Sequence, residues 1–144
     1  MQAKVYLRQA YRISQLIRSN EKELEELREL STCISAIDPS KDCVQTSPSG
    51  DANYVRIIEK IDELERVIKG DIERLLEQKL EIKKTIDLVS DKTEMLLLQQ
   101  RYLQFMNWDE VCESMSISKR TAHRIHGRAL NSVDEILKVG TSCY

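Results

Sequence analysis

Glycine and proline are scarce, four and two in 144 residues, so few positions force a helix to stop or a tight turn to form. Long apolar runs are missing altogether. None approaches the ~20 residues a membrane span requires, so no membrane partner is expected. The four cysteines, Cys33, Cys43, Cys112 and Cys143, show neither CxxC nor Cys/His ligand spacing, which argues against a zinc or dithiol centre. The opening Met-Gln-Ala-Lys-Val-Tyr-Leu-Arg lacks the apolar core of a secretion leader. A reducing cytoplasm with free thiols is the expected setting. Catalytic signatures are lacking too: no phosphate loop, no HExxH, no GxSxG and no dinucleotide fingerprint. The expectation is therefore no enzyme, no cofactor and no small-molecule substrate.

What the chain has is charge and aliphatic residues. Charged residues make up 32%, and the abundance of Glu, Lys, Leu and Ile suits long helices and coiled coils rather than a sheet. The net charge of −2 argues against non-specific coating of nucleic acid, but it hides a strong asymmetry. Residues 1–20 carry Lys4, Arg8, Arg12 and Arg18 and no acid, whereas residues 21–51 are net −5. Ser118–Arg128 is net +4 without a single acid, in a chain holding 24 acids. The basic stretch from Lys4 to Arg18 reads foremost as a charged outer helix face, with contact to a partner or to phosphates as the alternative.

Hydrophobic periodicity sets the organisation. A seam through Ala3, Tyr6, Ala10, Ile13, Ile17, Asn20, Leu24, Leu27, Ser31 and Ile34 alternates steps of three and four, the spacing that keeps one stripe against a partner helix. This first long helix should occupy residues 1–37, since Pro39 disfavours helical geometry in the residue before it. Residues 38–51 read as a flexible linker containing both prolines. A second long helix is expected over residues 52–90, its stripe including Tyr54, Ile57, Ile61, Leu64, Ile68, Ile72, Leu75, Ile82, Ile86 and Val89. The two helices should pair as an antiparallel hairpin. Off-seam Leu7, Leu16, Leu76 and Leu80 would still need cover, most simply from a homodimer formed through the long helices.

Residues 91–138 have a different texture. Asp91 or Ser90 can cap a helix with Glu94 as capping-box partner, and Met95, Leu96, Leu97, Leu98, Tyr102 and Leu103 make it apolar over much of its surface. Gln104-Phe105-Met106 is the connector. Asn107 should cap a second helix from Trp108, Ser116-Ile117 should form a turn, and Ser118 should cap a third. In that third helix Ala122, Ile125 and Ala129 form the inward stripe. Lys119, Arg120, His123 and Arg124 are left outside, near the helix N-terminus, where a helix-turn-helix meets base edges and phosphates. His123 and His126 with Cys112 fall short of a full metal-ligand set, so no metal is expected. The fold class read from the sequence is all-α: a long, coiled-coil-like antiparallel hairpin, a C-terminal three-helix helix-turn-helix domain, and a tail at 139–144.

Asp109-Glu110-Val111 through Ser116-Ile117-Ser118 to Ala129-Leu130, together with Leu96-Leu97-Leu98-Gln99-Gln100-Arg101-Tyr102-Leu103, resembles region 4 of sigma-70-type factors. Ile117–His123 is also similar to the LuxR-type helix-turn-helix. With its helical N-terminal half, the whole chain looks like small phage and prophage transcriptional regulators of the ArpU/RinA kind. The resemblance implies sequence-specific binding of double-stranded DNA in the nucleoid of a bacterial host. The contacting positions fall on Lys119, Arg120, His123 and Arg124, with Ser118 and Thr121 as backbone-facing helpers and Arg128 farther along the helix. Arg120 stands where sigma factors usually carry an acid that reads cytosine, so the preferred sequence should differ. Gly127 replaces a usual alanine, with a bend or loosening of the helix end expected there. No region-2-like aromatic cluster exists, which leaves activation through RNA polymerase and simple repression both open. A DNA-recognition or assembly subunit of a phage packaging machine and a helical interaction module without DNA binding are the competing readings.

Overall fold

Residues 2–35 and 48–141 are described by the computed structural model, and every regular element among them is a helix. In chain order these are α1 (Gln2–Leu7), α2 (Gln9–Ser35), α3 (Pro48–Asp87), α4 (Lys92–Leu98) with a π-helical turn over Gln99–Leu103, α5 (Trp108–Met115) and α6 (Lys119–Thr141). The all-α class holds. The expected end of the first helix at Ile37, the linker residues 38–47 and the tail residues 142–144 lie outside the described residues.

Several boundaries differ from those expected. The first long helix is bent at Arg8, although the Arg8 amide still donates to Lys4 (3.1 Å) and the Arg12 amide to Arg8 (3.2 Å). The second starts at Pro48, four residues inside the expected linker. Proline suits a first helical position because its missing N–H would have no partner there and its fixed φ is already helical. At its far end α3 stops at Asp87, short of residue 90, and tightens: Leu88 donates to Thr85 and Val89 to Ile86, the i→i+3 pattern of a closing turn. α6 runs to Thr141, into the expected tail. The Thr141 hydroxyl donates to the Leu137 carbonyl at 2.7 Å, supplying a partner that a terminal carbonyl otherwise lacks. Gly127 does not interrupt α6.

The chain divides into two compact units, residues 1–14 with 74–144, and residues 15–73. In the first, Ala3, Leu7 and Ala10 share a core with Ile82, Ile86, Val89, Leu98, Tyr102, Ala129, Leu130 and Val133. Leu7, expected to need outside cover, is fully buried in this core. Buried aliphatic side chains of this size contribute ~1.5–3 kcal/mol each, so burial is the main source of this unit's stability. The Ala3 amide donates to Asp134 Oδ1 at 2.8 Å, and the Tyr6 and Thr85 hydroxyls share a hydrogen bond of 3.0 Å.

The second unit consists of the remaining lengths of α2 and α3. Ile17, Leu24, Ile61 and Ile68 are buried, as the heptad seam requires. The α3 seam does not pass through Ile72, which is exposed, as is Tyr54; half-buried Asp71 takes the inward position beside it. Arg28 Nη2 meets Glu65 Oε1 at 2.8 Å, and Leu27 faces Leu64 and Val67. Residues late in α2 thus meet the middle of α3, in the antiparallel order of a hairpin. Both partners of the ion pair are about half exposed, so it contributes under ~1 kcal/mol and defines register more than stability. Leu16, Leu30, Val55 and Val67 stay largely exposed.

Candidate nucleic-acid interface

α5 and α6 form the angled helix pair around a small core of their own. Asn107 Oδ1 accepts the Glu110 amide at 2.9 Å, while Glu110 Oε2 accepts the Asn107 amide at 2.8 Å. This is a complete capping box. Ser116 ends α5 in the left-handed conformation, φ 54°, and lets Ile117 donate to the Cys112 carbonyl at 3.0 Å. Ser118 Oγ then accepts the Thr121 amide at 3.2 Å and starts α6. Leu97, Val111, Ala122 and Ile125 form the buried centre, flanked by Met106, Trp108, Cys112, Met115 and Ile117.

The connector before α5 is under strain. Phe105 adopts φ 57°, which costs a bulky L-residue roughly 1–2 kcal/mol. Its ring is held edge-on to Tyr11, centroids 5.6 Å apart, with Lys79 Nζ 4.6 Å from the ring centre. These contacts fix how the chain enters α5.

At the other end of this segment Asp91 caps α4 as expected, accepting the Thr93 and Glu94 amides. Glu94, however, is not its capping-box partner. Its carboxylate accepts the Ser132 hydroxyl at 3.0 Å and lies 3.9 Å from Arg128 Nε, because α6 crosses beside α4 and offers closer donors. This places Arg128 beside an acid, apart from the outer face at the start of α6.

The remaining predicted contact residues do come together. Ser118, Lys119, Arg120, His123 and Arg124 are all exposed on the first two turns of α6, with Thr121 half-buried. Arg120 and Arg124 have no ion-pair partner among the described residues. Lys119 Nζ lies 2.7 Å from Asp109 Oδ1; the hydrogen bond and the charge of Asp109 raise its pKa above the usual lysine value. Both side chains of this pair are largely exposed and water competes for it. The dipole of α6 adds positive potential at the same end.

His123 is not a freely projecting side chain. Its ring lies 4.5 Å from that of Trp108, centroid to centroid, and Trp108 also meets His126 edge-on at 4.9 Å. His126, weighed in the sequence only as a candidate metal ligand beside His123 and Cys112, is buried and shares a 2.7 Å hydrogen bond between Nε2 and the Tyr102 hydroxyl. Burial, then the charges of Lys4, His123 and Arg101, lower its pKa to about 4. Burial likewise raises that of Tyr102. His126 is therefore neutral at pH 7 and acts as a core residue. Its position was readable: Ala122, Ile125, His126, Ala129, Leu130 and Val133 follow the buried stripe of one helix.

These rings floor a cavity of about 210 Å3 whose other walls are the cationic side chains of Lys4, Arg8 and Arg101. Lys4 and Arg8 belong to the basic stretch read foremost as an outer helix face, with phosphate contact as the alternative, and Arg101 was not singled out as a contact. No group of three or more metal-ligating side chains occurs among the described residues, and none of the described helices is long and apolar enough to cross a membrane.

Residues 33–134 match the model of a family described as protein of unknown function, DUF1492. The chain belongs to this family. The match takes in α3, α4, α5 and most of α6, and leaves Lys4 and Arg8 outside. No curated protein and no solved structure matches the chain.

Proposed function

We propose that this chain is a sequence-specific double-stranded DNA-binding transcriptional regulator of phage or prophage type, reading the major groove with α6. The observation that carries this reading is the exposed set Lys119, Arg120, His123 and Arg124 on the first two turns of α6. That helix is anchored from behind by buried Ala122, Ile125 and Ala129 and set at its angle by a left-handed Ser116 turn. A groove-inserted helix needs such an arrangement: cations outward at the N-terminal end, a rigid apolar attachment on the other side. The resemblance of this segment to region 4 of sigma-70-type factors supplies the transcriptional element of the proposal. The likeness of the whole chain to small phage regulators supplies the rest.

The regulator acts as a homodimer through its long helices. Leu16, Leu30, Val55 and Val67 are apolar, largely exposed and carried by the unit built from residues 15–73, which is what a helical dimer contact uses. Two DNA-binding heads then read half-sites about one helical turn or more apart.

Selection from a random duplex pool followed by band-shift measurement tests this reading. A defined sequence should emerge and bind with strong salt dependence. Lys119→Ala and Arg124→Ala should each weaken binding, and removing a cation that neutralises one phosphate should lower the salt slope by ~0.9. If both variants bind the selected duplex as tightly as the parent, α6 is not the reading element. Sedimentation should give a dimer, whereas a ring of many copies would favour the packaging-subunit reading.

A further inference from the structure

Lys4, Arg8 and Arg101 gather three formal positive charges around one small cavity, and no acid lines it. Lys4 and Arg8 sit four residues apart on one helical face, where like charges repel by ~0.2–0.5 kcal/mol. Neither has an ion-pair partner among the described residues. Arg101 comes from a different segment, the π-helical turn. It is fixed in place: Nη1 donates to the Met106 carbonyl at 2.8 Å, and its guanidinium lies 5.0 Å from the centre of the Trp108 ring. Such a side chain loses little freedom on gripping a ligand and still has other N–H donors to offer. Taken by themselves these three charges repel one another. Burial first, and then the charges of Lys4, His123 and Arg101, lower the proton affinity of neighbouring His126. A bound anion adds an attraction to each of these cations and so offsets their mutual repulsion.

We propose that this cavity is a phosphate site, and that it grips a backbone phosphate of the duplex read by α6, a source that rests on the DNA-binding function proposed above. The volume of about 210 Å3 suits a phosphate group with water, given that a single water needs only ~10–15 Å3 of such space. The rim includes His123, which also belongs to the outer face of α6, so a phosphate held here is adjacent to the groove that α6 enters. Contacts of this class fix register and orientation while the base-facing side chains read sequence. Lys4 and Arg8 thus become part of the DNA footprint, although more than 90 residues separate them from α6 in the chain.

Trp108 is the sole tryptophan and forms the cavity floor, so its fluorescence reports occupancy directly. The full-length protein is titrated with the selected duplex and, separately, with inorganic phosphate. The parent is compared with Arg8→Ala, the charge-retaining Arg8→Lys, and Arg12→Ala, which removes an exposed cation of α2 that does not line the cavity. Thermal melts confirm that each variant folds. The proposal expects the duplex to change Trp108 emission. Arg8→Ala should bind it roughly tenfold more weakly with a salt slope lower by ~0.9, while Arg12→Ala matches the parent and Arg8→Lys recovers most of the affinity. If duplex affinity and salt slope are the same in Arg8→Ala as in the parent, the DNA-backbone source is overturned. The phosphate site itself then survives only if inorganic phosphate saturates the Trp108 signal in the parent and not in Arg8→Ala. If inorganic phosphate does so while no duplex binds the parent, the cavity stands and the DNA-binding function falls. If neither ligand perturbs Trp108, the phosphate site is refuted.

Discussion

Acidification should loosen the helical head built from α4, α5 and α6 through His126. In the unfolded chain this imidazole takes up its proton as the pH falls through 6.5, whereas in the folded protein it does so only at about 4. Between those values the unfolded state binds more protons, so stability rises with pH across the window and is lost as the pH falls through it. The full gap between 6.5 and about 4 corresponds to a ceiling of ~3.5 kcal/mol at ~1.4 kcal/mol per pKa unit. Solvent screening of a partly accessible ring brings the expected effect to on the order of 1–2 kcal/mol. The burial of the ring beside Lys4, Arg101 and His123 is the cause, and Tyr102, its hydrogen-bond partner, stays protonated throughout. Other carboxylates also titrate on the way to pH 4.5, so His126→Phe serves as reference: it keeps an aromatic ring and removes the titration. Urea midpoints of parent and variant should draw apart between pH 7 and pH 4.5, with the parent losing more by ~0.3–2 M, taking a urea slope of ~1–3 kcal/mol/M. An unchanged difference between the two proteins would refute the reasoning. So would an NMR titration in which the His126 ring protonates near 6.5.

Two substitutions test how the head is held together. Leu97→Ala removes a fully buried side chain from the core behind α5 and α6 and should cost ~2–5 kcal/mol in chemical denaturation; a loss below ~1 kcal/mol would mean the helix pair is not packed on α4. Asn107→Ala deletes the capping box of α5 and should cost about 1 kcal/mol. Its local signature is faster hydrogen exchange at the Glu110 amide, the donor that loses its acceptor, and unaltered exchange there would count against the cap.

Much of the head was legible because its signals are local. Asn107, Ser118 and Asp91 declare helix starts through their own side chains, and the Ala122-Ile125-Ala129 stripe declares its inward face by spacing alone. The heptad seam of α2 was equally readable. What escaped depended on choices that tertiary packing makes. Pro48 is as compatible with a linker as with a first helical turn, and only the observed helix decides. At residues 71 and 72 the apolar side chain is the natural pick for a seam, yet the geometry turns Asp71 inward and leaves Ile72 exposed. Glu94 had an ideal spacing from Asp91 for a capping box and instead serves Ser132 and Arg128. The cavity was beyond reach, since nothing in residues 1–20 indicates that Lys4 and Arg8 will stand beside Arg101 and Trp108.

The bond between the Ala3 amide and Asp134 spans 131 positions of the chain, and this has a consequence for biosynthesis. The core that seats α6 requires Ala3, Leu7 and Ala10, which leave the ribosome long before their partners. At roughly 5–20 residues per second, on the order of ten seconds or more separates the synthesis of these two segments. During that interval only the earlier part of the core, Ile82, Ile86 and Val89 and then Leu98 and Tyr102, can meet α1, and the surface that seats α6 must stay open or be borrowed by other surfaces. Contacts this distant also slow folding once the chain is complete. A nascent chain therefore cannot complete this head in passing: the head closes only after Val133 and Asp134 have emerged, as a late event in which the first ten residues lock against the last helix.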